Sequence, residues 1–433
     1  MKPSAYNFIW PSDDGDTLLL FNSLSMALRE MDTICQELLQ TPQFDYTTLT
    51  AVQQRYVRQL QPQGFVIPDE VNEEKVLQAL YRSSAYDRVN LHLAIAPTLE
   101  CNFSCTYCYQ QPGEMDNGRQ GNHVFMPEEV QQKLLAYIDE STETVRNLSL
   151  IWYGGEPLLA IDIVCHLSKS IVAITHKKQI GYRAKVITNG YLLTQPGIVQ
   201  KLIDSHISRI DLTLDGPPEV HNGRRRLKTG HGPTFDHILE GLRQVRAQGL
   251  EVQLRINADR SNQESLFGLL DILDQYHLRD IPIVLGRVGA YTSGCKLPET
   301  SYLSDEEFSR LAKQFRKPQH PCLAHPCSSN KLNAYVIDPD GDLYKCWIQI
   351  GEKQHRIGNI TYHHRPGIQE RMREIDWLTW EPFDSAHCKP CKLLPICMGG
   401  CSYRARFISS SQPPCPEWKY NLKEWVKEQF RKK

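Results

Sequence analysis

Eleven of the fourteen cysteines in this chain fall into three groups, and no other feature of the sequence restricts its possible folds so sharply. The first group is Cys101, Cys105 and Cys108. The second is Cys322, Cys327 and Cys346, and the third is Cys388, Cys391, Cys397, Cys401 and Cys415. Cys35, Cys165 and Cys295 stand alone. A chain of 433 residues is too long for a small disulfide scaffold, and residues 1–15 lack the basic-then-apolar order of a secretory signal. Grouped thiols in such a chain point to metal ligation in a reducing, cytoplasmic compartment. The formal charge of −1 excludes a general polyanion binder, so no nucleic-acid partner is expected. No apolar run reaches the roughly 18 residues of a membrane span, so no membrane is expected either.

The length allows two or three domains. Residues 1–89 read as a small first unit: a buried strand at 18–21, helix caps at Asn22–Ser25 before an apolar-periodic helix to Leu39, a second helix over 49–60, and a returning strand after Gly64. Strand, helices and strand together suggest a winged-helix-like module. Residues 90–310 alternate. Strands are expected at 91–96, 148–153, 182–187, 209–214, 252–257 and 281–285, with helices at 127–145, 162–176, 196–205, 234–248 and 263–276 between them. Six β-α steps imply an α/β fold with a parallel sheet, read here as a partial (β/α)6 TIM-like barrel, although a doubly wound sheet has the same pattern. In either arrangement chemistry gathers at the carboxyl ends of the strands. Residues 311–433 lose the alternation and keep one hairpin, 332–337 and 343–347 around Asp338-Pro339-Asp340-Gly341, with metal sites supplying the missing stabilisation. The closing helix from Pro416 is basic and amphipathic and reads as a solvated cap.

Three thiols in a C-x3-C-x2-C loop directly after the first barrel strand, with no fourth cysteine nearby, leave one iron of a four-iron cluster open to an outside ligand. A zinc site borrowing a distant histidine uses the same spacing. Gly154-Gly155-Glu156-Pro157 follows the second strand, where two glycines allow a ligand close to the backbone. Thr188-Asn189-Gly190 ends the third strand, Thr213 lies on the fourth, and Arg255 on the fifth. The run Arg224-Arg225-Arg226 reads as a solvated loop. The later cysteines supply eight thiolates, enough for two four-cysteine sites, and two ribbon-type zinc ions would also fit them.

With Tyr107 before its third cysteine, the first loop resembles that of the radical S-adenosylmethionine superfamily. The resemblance implies that Cys101, Cys105 and Cys108 hold a [4Fe–4S] cluster whose open iron binds S-adenosylmethionine, and that a 5′-deoxyadenosyl radical then abstracts hydrogen. It also implies cofactor contacts from Tyr107, Gly154, Gly155, Glu156, Asn189, Thr213 and Arg255. The later cysteines resemble a C-terminal SPASM domain. On that likeness Cys322, Cys327, Cys346 and Cys401 hold one auxiliary cluster and Cys388, Cys391, Cys397 and Cys415 the other, three [4Fe–4S] clusters in all. SPASM-bearing members modify ribosomally made peptides, so the implied partners are a precursor peptide, held by strand addition on the N-terminal unit, and an electron donor such as flavodoxin or ferredoxin. Anaerobic sulfatase-maturing members carry a carboxylate after the cysteine matching Cys346, where this chain has Trp347. The expectation is therefore oxidative crosslinking of a peptide through a cyclophane, ether or thioether bond. Formylglycine formation, or a non-catalytic metal scaffold or electron carrier, is the alternative.

Overall fold

A computed structural model describes residues 1–110, 124–230, 232–292, 294–295, 297–315, 320–323, 325–361, 366–408 and 415–431. Its centre is one mixed sheet. Six strands arise where the alternation predicts them: β1 (Asn90–Ile95), β2 (Asn147–Trp152), β3 (Gly181–Thr188), β4 (Arg209–Thr213), β5 (Glu251–Ala258) and β6 (Ile283–Arg287). They pair in parallel and in sequence order, the arrangement that right-handed helical crossovers produce. The five expected helices lie between them, at Glu128–Ser141, Ile161–Lys177, Ile198–Asp204, Phe235–Ala247 and Leu266–Gln275.

The hairpin expected after residue 330 forms from β7 (Ala334–Ile337) and β8 (Asp342–Tyr344), but it is not a separate element. β7 pairs in parallel with β1, and β9 (Gly358–Asn359) follows β8, so the sheet order is β6-β5-β4-β3-β2-β1-β7-β8-β9. The cysteine-rich region is thereby hydrogen-bonded to the first strand of the alternating region, a long-range pairing with no local sequence mark.

Alternate side chains of each strand enter the main core. Leu91, Leu93 and Ile95 of β1, with Leu148, Leu150 and Trp152 of β2, pack beneath the helices. Ala94, Ala96, Tyr153, Val336 and Tyr344 form a smaller cluster of their own. The stretch Pro157–Lys177 is apolar and long enough to meet the composition test for a membrane span, which the sequence reading did not anticipate. Val164, Leu167 and Ile171 of that stretch are buried in the main core, which accounts for its apolarity.

The N-terminal unit departs from expectation. Leu28–Asp32 is a strand, not part of a helix, and helix is confined to Cys35–Gln40. Asn22 Oδ1 accepts from the backbone N–H groups of Leu24 and Ser25, and Asn22 N–H reaches the Ala27 carbonyl, so these polar residues close a turn. Asn and Ser side chains satisfy turns and helix starts through the same hydrogen bonds, and only the partner strand decides between them. The result is a three-stranded antiparallel sheet of Asn7–Pro11, Thr17–Asn22 and Leu28–Asp32. The closing helix, Trp418–Arg431, lies on that sheet. It buries Leu422, Trp425 and Val426 against Leu19 and Phe21, and Lys427 pairs with Asp13, so it is a packed element and not a solvated cap.

Candidate active site and thiol clusters

The loop after β1 brings Cys101, Cys105 and Cys108 within electrostatic reach of one another. Burial pushes the Cys101 thiol up to about 12, with the Glu156 charge adding to it. Burial likewise raises Cys105 to about 11, against the pull of the Arg225 guanidinium. Two thiols that resist ionisation alone, with a third from Cys108 beside them, suit a positively charged inorganic core as their counterpart.

The loop is held from several sides. Residues 103–105 pair with residues 225–227 as a short antiparallel ribbon, in which Arg225 faces Cys105 in register. Tyr107 donates its hydroxyl to Asp215 and accepts from Arg225 at 2.7 Å and from Asn257 at 3.1 Å. Arg224 lies over the Tyr107 ring and binds both oxygens of Asp259 at 2.9 and 2.8 Å. Arg224 and Arg225 are only 7% and 6% exposed, so the expected solvated loop is instead a buried cationic anchor. Burial works against the Arg225 charge, yet Tyr107, Cys105 and Asp215 hold its pKa above the ordinary value. Sequence reasoning passed over Asp215, Asn257 and Asp259. The run of arginines next to a buried-strand Asp-Gly was the available signal.

The glycine pair is required by the same loop. A Cβ on Gly154 would stand 2.3 Å from the Thr98 carbonyl oxygen, and one on Gly155 2.1 Å from that of Glu100. Gly154 also adopts φ +119°. Glu156 is fully buried, accepting from the Thr188 hydroxyl at 2.7 Å and from the backbone N–H groups of Asn189 and Leu158 at 2.6 and 3.0 Å. Its carboxyl is pushed up by burial, which those three bonds oppose. Glu156 thus fastens the turn after β3 to the turn after β2. Asn189 in turn donates to Asn102 at 2.7 Å and reaches Cys101 Sγ at 3.9 Å. Thr213 and Arg255 are register partners on β4 and β5, so they share a face, and Arg255 is exposed on it. Arg255 binds Asn257 at 2.8 Å, and its guanidinium lies over Gly286, where an added Cβ would have to displace it.

Of the later thiols, Cys388, Cys391, Cys397 and Cys415 all lie within reach of one another and line a single cavity of about 240 Å³. Burial raises Cys397 to about 12. In the other set Cys327, Cys346 and Cys401 converge, with the Ser329 hydroxyl donating to Cys327 Sγ at 3.2 Å. Cys322 is exposed. Among the described residues no three Cys, His, Asp or Glu side chains close tightly enough to grip a single metal ion. The four outer thiols around their cavity are of a donor type and number that fit a four-iron cluster.

Residues 95–261 match the family model of the radical SAM superfamily. The chain carries a radical SAM domain. The matched region runs from the end of β1 through the cysteine loop to just past β5, so it takes in the whole anchored site. Membership implies one [4Fe–4S] cluster and S-adenosylmethionine, and the three loop thiols fit the cluster. Across 354 residues the chain is 23% identical to the serine-type anaerobic sulfatase-maturating enzyme of Klebsiella aerogenes, covering 72% of this chain and 80% of that protein. It is 25% identical over 280 residues to a probable GTP 3′,8-cyclase of Sulfolobus acidocaldarius, covering 60% of this chain and 82% of the other. Two solved structures share the fold. Native anSMEcpe with bound AdoMet superposes with a TM-score of 0.61 at 17% identity, over 79% of this chain and all of that one. Streptococcus suis SuiB bound to its precursor peptide SuiA superposes at 0.53 and 14% identity, over 96% of this chain and 98% of that one. The chain is therefore a radical SAM enzyme related in sequence to sulfatase maturases and in fold to SuiB.

Proposed function

We propose that this radical SAM enzyme is a SPASM-type maturase that crosslinks a ribosomally made peptide oxidatively, through a cyclophane, ether or thioether bond. In this reading residues 90–310 form a partial barrel, 311–433 carry two auxiliary [4Fe–4S] sites, and 1–89 bind the leader of the peptide. The relatives named above as a sulfatase maturase and as a protein bound to a precursor peptide support a polypeptide substrate. The likeness to SuiB also spans more of the chain than that to anSMEcpe, by about the size of the N-terminal unit.

The observation that carries crosslinking over formylglycine formation is Trp347. It follows Cys346, where a sulfatase maturase resemblance calls for a carboxylate, and its ring packs on Tyr153 with centroids 4.8 Å apart. Tyr153 in turn meets the hydroxyl of Tyr109, the residue after Cys108. An aromatic wall therefore stands between the first thiol loop and the inner auxiliary set, at the position of the expected base. The sulfatase relatives favour formylglycine formation as the second reading.

Bound at Cys101, Cys105 and Cys108, the cluster and S-adenosylmethionine would supply a carbon radical able to take hydrogen from an unactivated C–H bond. The chain's own part is positioning. Arg225, Asp215 and Asn257 fix Tyr107 and so the loop, and Glu156 fixes the two turns that Asn189 joins to it. Thr213 and Arg255 offer a hydroxyl and a cation on one face for the cofactor. The electron donor in this reading is a flavodoxin or ferredoxin.

Coexpression with short reading frames from the same locus, followed by mass spectrometry, tests the proposal. Loss of two hydrogens, mapped to a crosslink, is expected. A serine or cysteine converted to formylglycine with no link would replace the first reading by the second. Anaerobic protein with zinc and no iron would leave only a metal scaffold.

A further inference from the structure

The two stretches that carry the outer thiol set, one with Cys388, Cys391 and Cys397 and one with Cys415, both run against the first third of the chain. Cys388 packs in one apolar cluster with Tyr6, Leu77 and Tyr81. Cys391 and Cys397 border another, with Phe8, Trp10, Leu19 and Phe21 of the N-terminal sheet. The helix that follows Cys415 lays Trp425 edge-on to Phe21, with ring centroids 5.9 Å apart. Between two of the cysteines, Lys392 makes a reciprocal bond. Its ammonium donates to the Asn7 carbonyl at 2.9 Å, and its own carbonyl accepts from the Ser23 hydroxyl at 2.5 Å.

The inner set, Cys327, Cys346 and Cys401, meets the first third of the chain at Tyr81, which lies within electrostatic reach of Cys327. Cys346 is flanked by Lys345, whose buried ammonium donates to the carbonyls of Lys331 and Ala334 at 2.5 and 2.9 Å, within its own region. Segment 388–401 holds one turn of helix at Leu394–Cys397 and otherwise local turn bonds, such as Cys391 N–H to the Cys388 carbonyl and Gly400 N–H to the Cys397 carbonyl, so its backbone is defined by short-range turns and its thiols and not by pairing with a strand. A group that binds only the folded arrangement of four thiols contributes its binding free energy to that arrangement.

We propose that the outer four-thiol site is a clasp: its loading orders residues 388–401 and fixes the helix after Cys415, and these hold the N-terminal sheet in place, with Lys392 as the positioning residue. This rests on the reading that the four thiols hold a cluster. The sheet so held offers two edge strands, Asn7–Pro11 and Leu28–Asp32, the surfaces that strand addition by a peptide would use. Loading would then set where a bound peptide enters, with no electron passing through the outer site. Linkage makes the coupling mutual, so disturbing the sheet must loosen the outer metal.

Hydrogen exchange with mass spectrometry on anaerobically loaded full-length protein tests this. Substituting Cys388, Cys391, Cys397 and Cys415 with Ala should remove about four irons and speed amide exchange in residues 7–32 by about tenfold or more, leaving β1–β6 and S-adenosylmethionine cleavage unchanged. Iron lost with exchange in 7–32 unchanged overturns the clasp and leaves the cluster assignment standing. No metal lost overturns the assignment, and the clasp with it. Lys392→Met keeps every cysteine and covers the case in which the fourfold variant aggregates. It should speed exchange in the same residues with full iron content, and Lys392→Arg should restore the slow rate. A normal exchange rate in Lys392→Met overturns the role of that residue. As the reverse measurement, Phe21→Ala should release the outer iron to a chelator several-fold faster than the wild-type chain does, and an equal rate contradicts the coupling.

Discussion

The loop of Cys101, Cys105 and Cys108 and the outer set of Cys388, Cys391, Cys397 and Cys415 use the same ligand chemistry on opposite structural principles. The loop is built from outside. A strand ribbon, two buried arginines, a buried glutamate and two obligatory glycines fix it before anything binds. The outer set lies in sequence with little regular structure, around a cavity of about 240 Å³, and abuts a separate sheet. One site is preorganised by the protein, which suits a centre that must hold a reactive cofactor in fixed geometry. The other depends on what it binds, which suits a structural fastening.

The sharpest way to break this contrast is to remove the ligands of the preorganised site. Replacing Cys101, Cys105 and Cys108 with Ala should reduce S-adenosylmethionine cleavage below detection and remove about four irons, leaving any iron held by the later cysteines in place. Cleavage that survives would show that the loop is not the reactive centre. Arg225→Met comes next. It removes the hydrogen bond that the Tyr107 hydroxyl accepts from a buried guanidinium, at a cost of about 1.5–3 kcal/mol. Timed chelation should then extract the first cluster faster while the outer iron leaves at the wild-type rate. Equal acceleration of both would erase the distinction between the sites.

Gly155→Ala should cost about 1–3 kcal/mol, because the added methyl meets the Glu100 carbonyl and the cysteine loop must shift. Thermal unfolding and the cluster's absorption spectrum would report it together. The smallest effect concerns the β7–β8 hairpin that links the two regions. Burial, helped by the Asp342 charge, pushes the Asp338 carboxyl up to about 7. A carboxyl raised on folding binds more protons in the folded state, so its contribution is complete below the unfolded value near 4 and is lost as pH rises through about 7. Asp338→Asn should flatten the fall in Tm over that window, by a few degrees. An unchanged pH profile would remove Asp338 from the account.

The alternating region was legible residue by residue, since each strand and helix there needs only its own period and a common core. The glycine pair and the first cysteine loop were legible for a similar reason, because their chemistry is written in short spacings. The protein partners of Tyr107 illustrate what was not. Its hydroxyl is bound to Asp215, Arg225 and Asn257, groups 108 to 150 residues away. The amide of Asn189 is likewise directed to Asn102 and Cys101, across the turns that Glu156 joins. Residues 28–32 were misread because a turn and a helix start share the same polar residues, and Leu28–Asp32 becomes a strand only beside Thr17–Asn22.

By itself, the sequence determined which atoms can ligate metal, where along the chain the six parallel strands lie to within one or two residues, and that a three-thiol loop follows the first of them. Those properties depend on residue type and on spacings of a few residues. The tertiary structure decided that two of three neighbouring arginines are buried beneath that loop, that β7 joins β1, and that the last helix lies on the first sheet. Each of these sets the burial of a charge or the pairing of an edge by segments far apart in the chain. Such energies exist only once the chain has closed on itself.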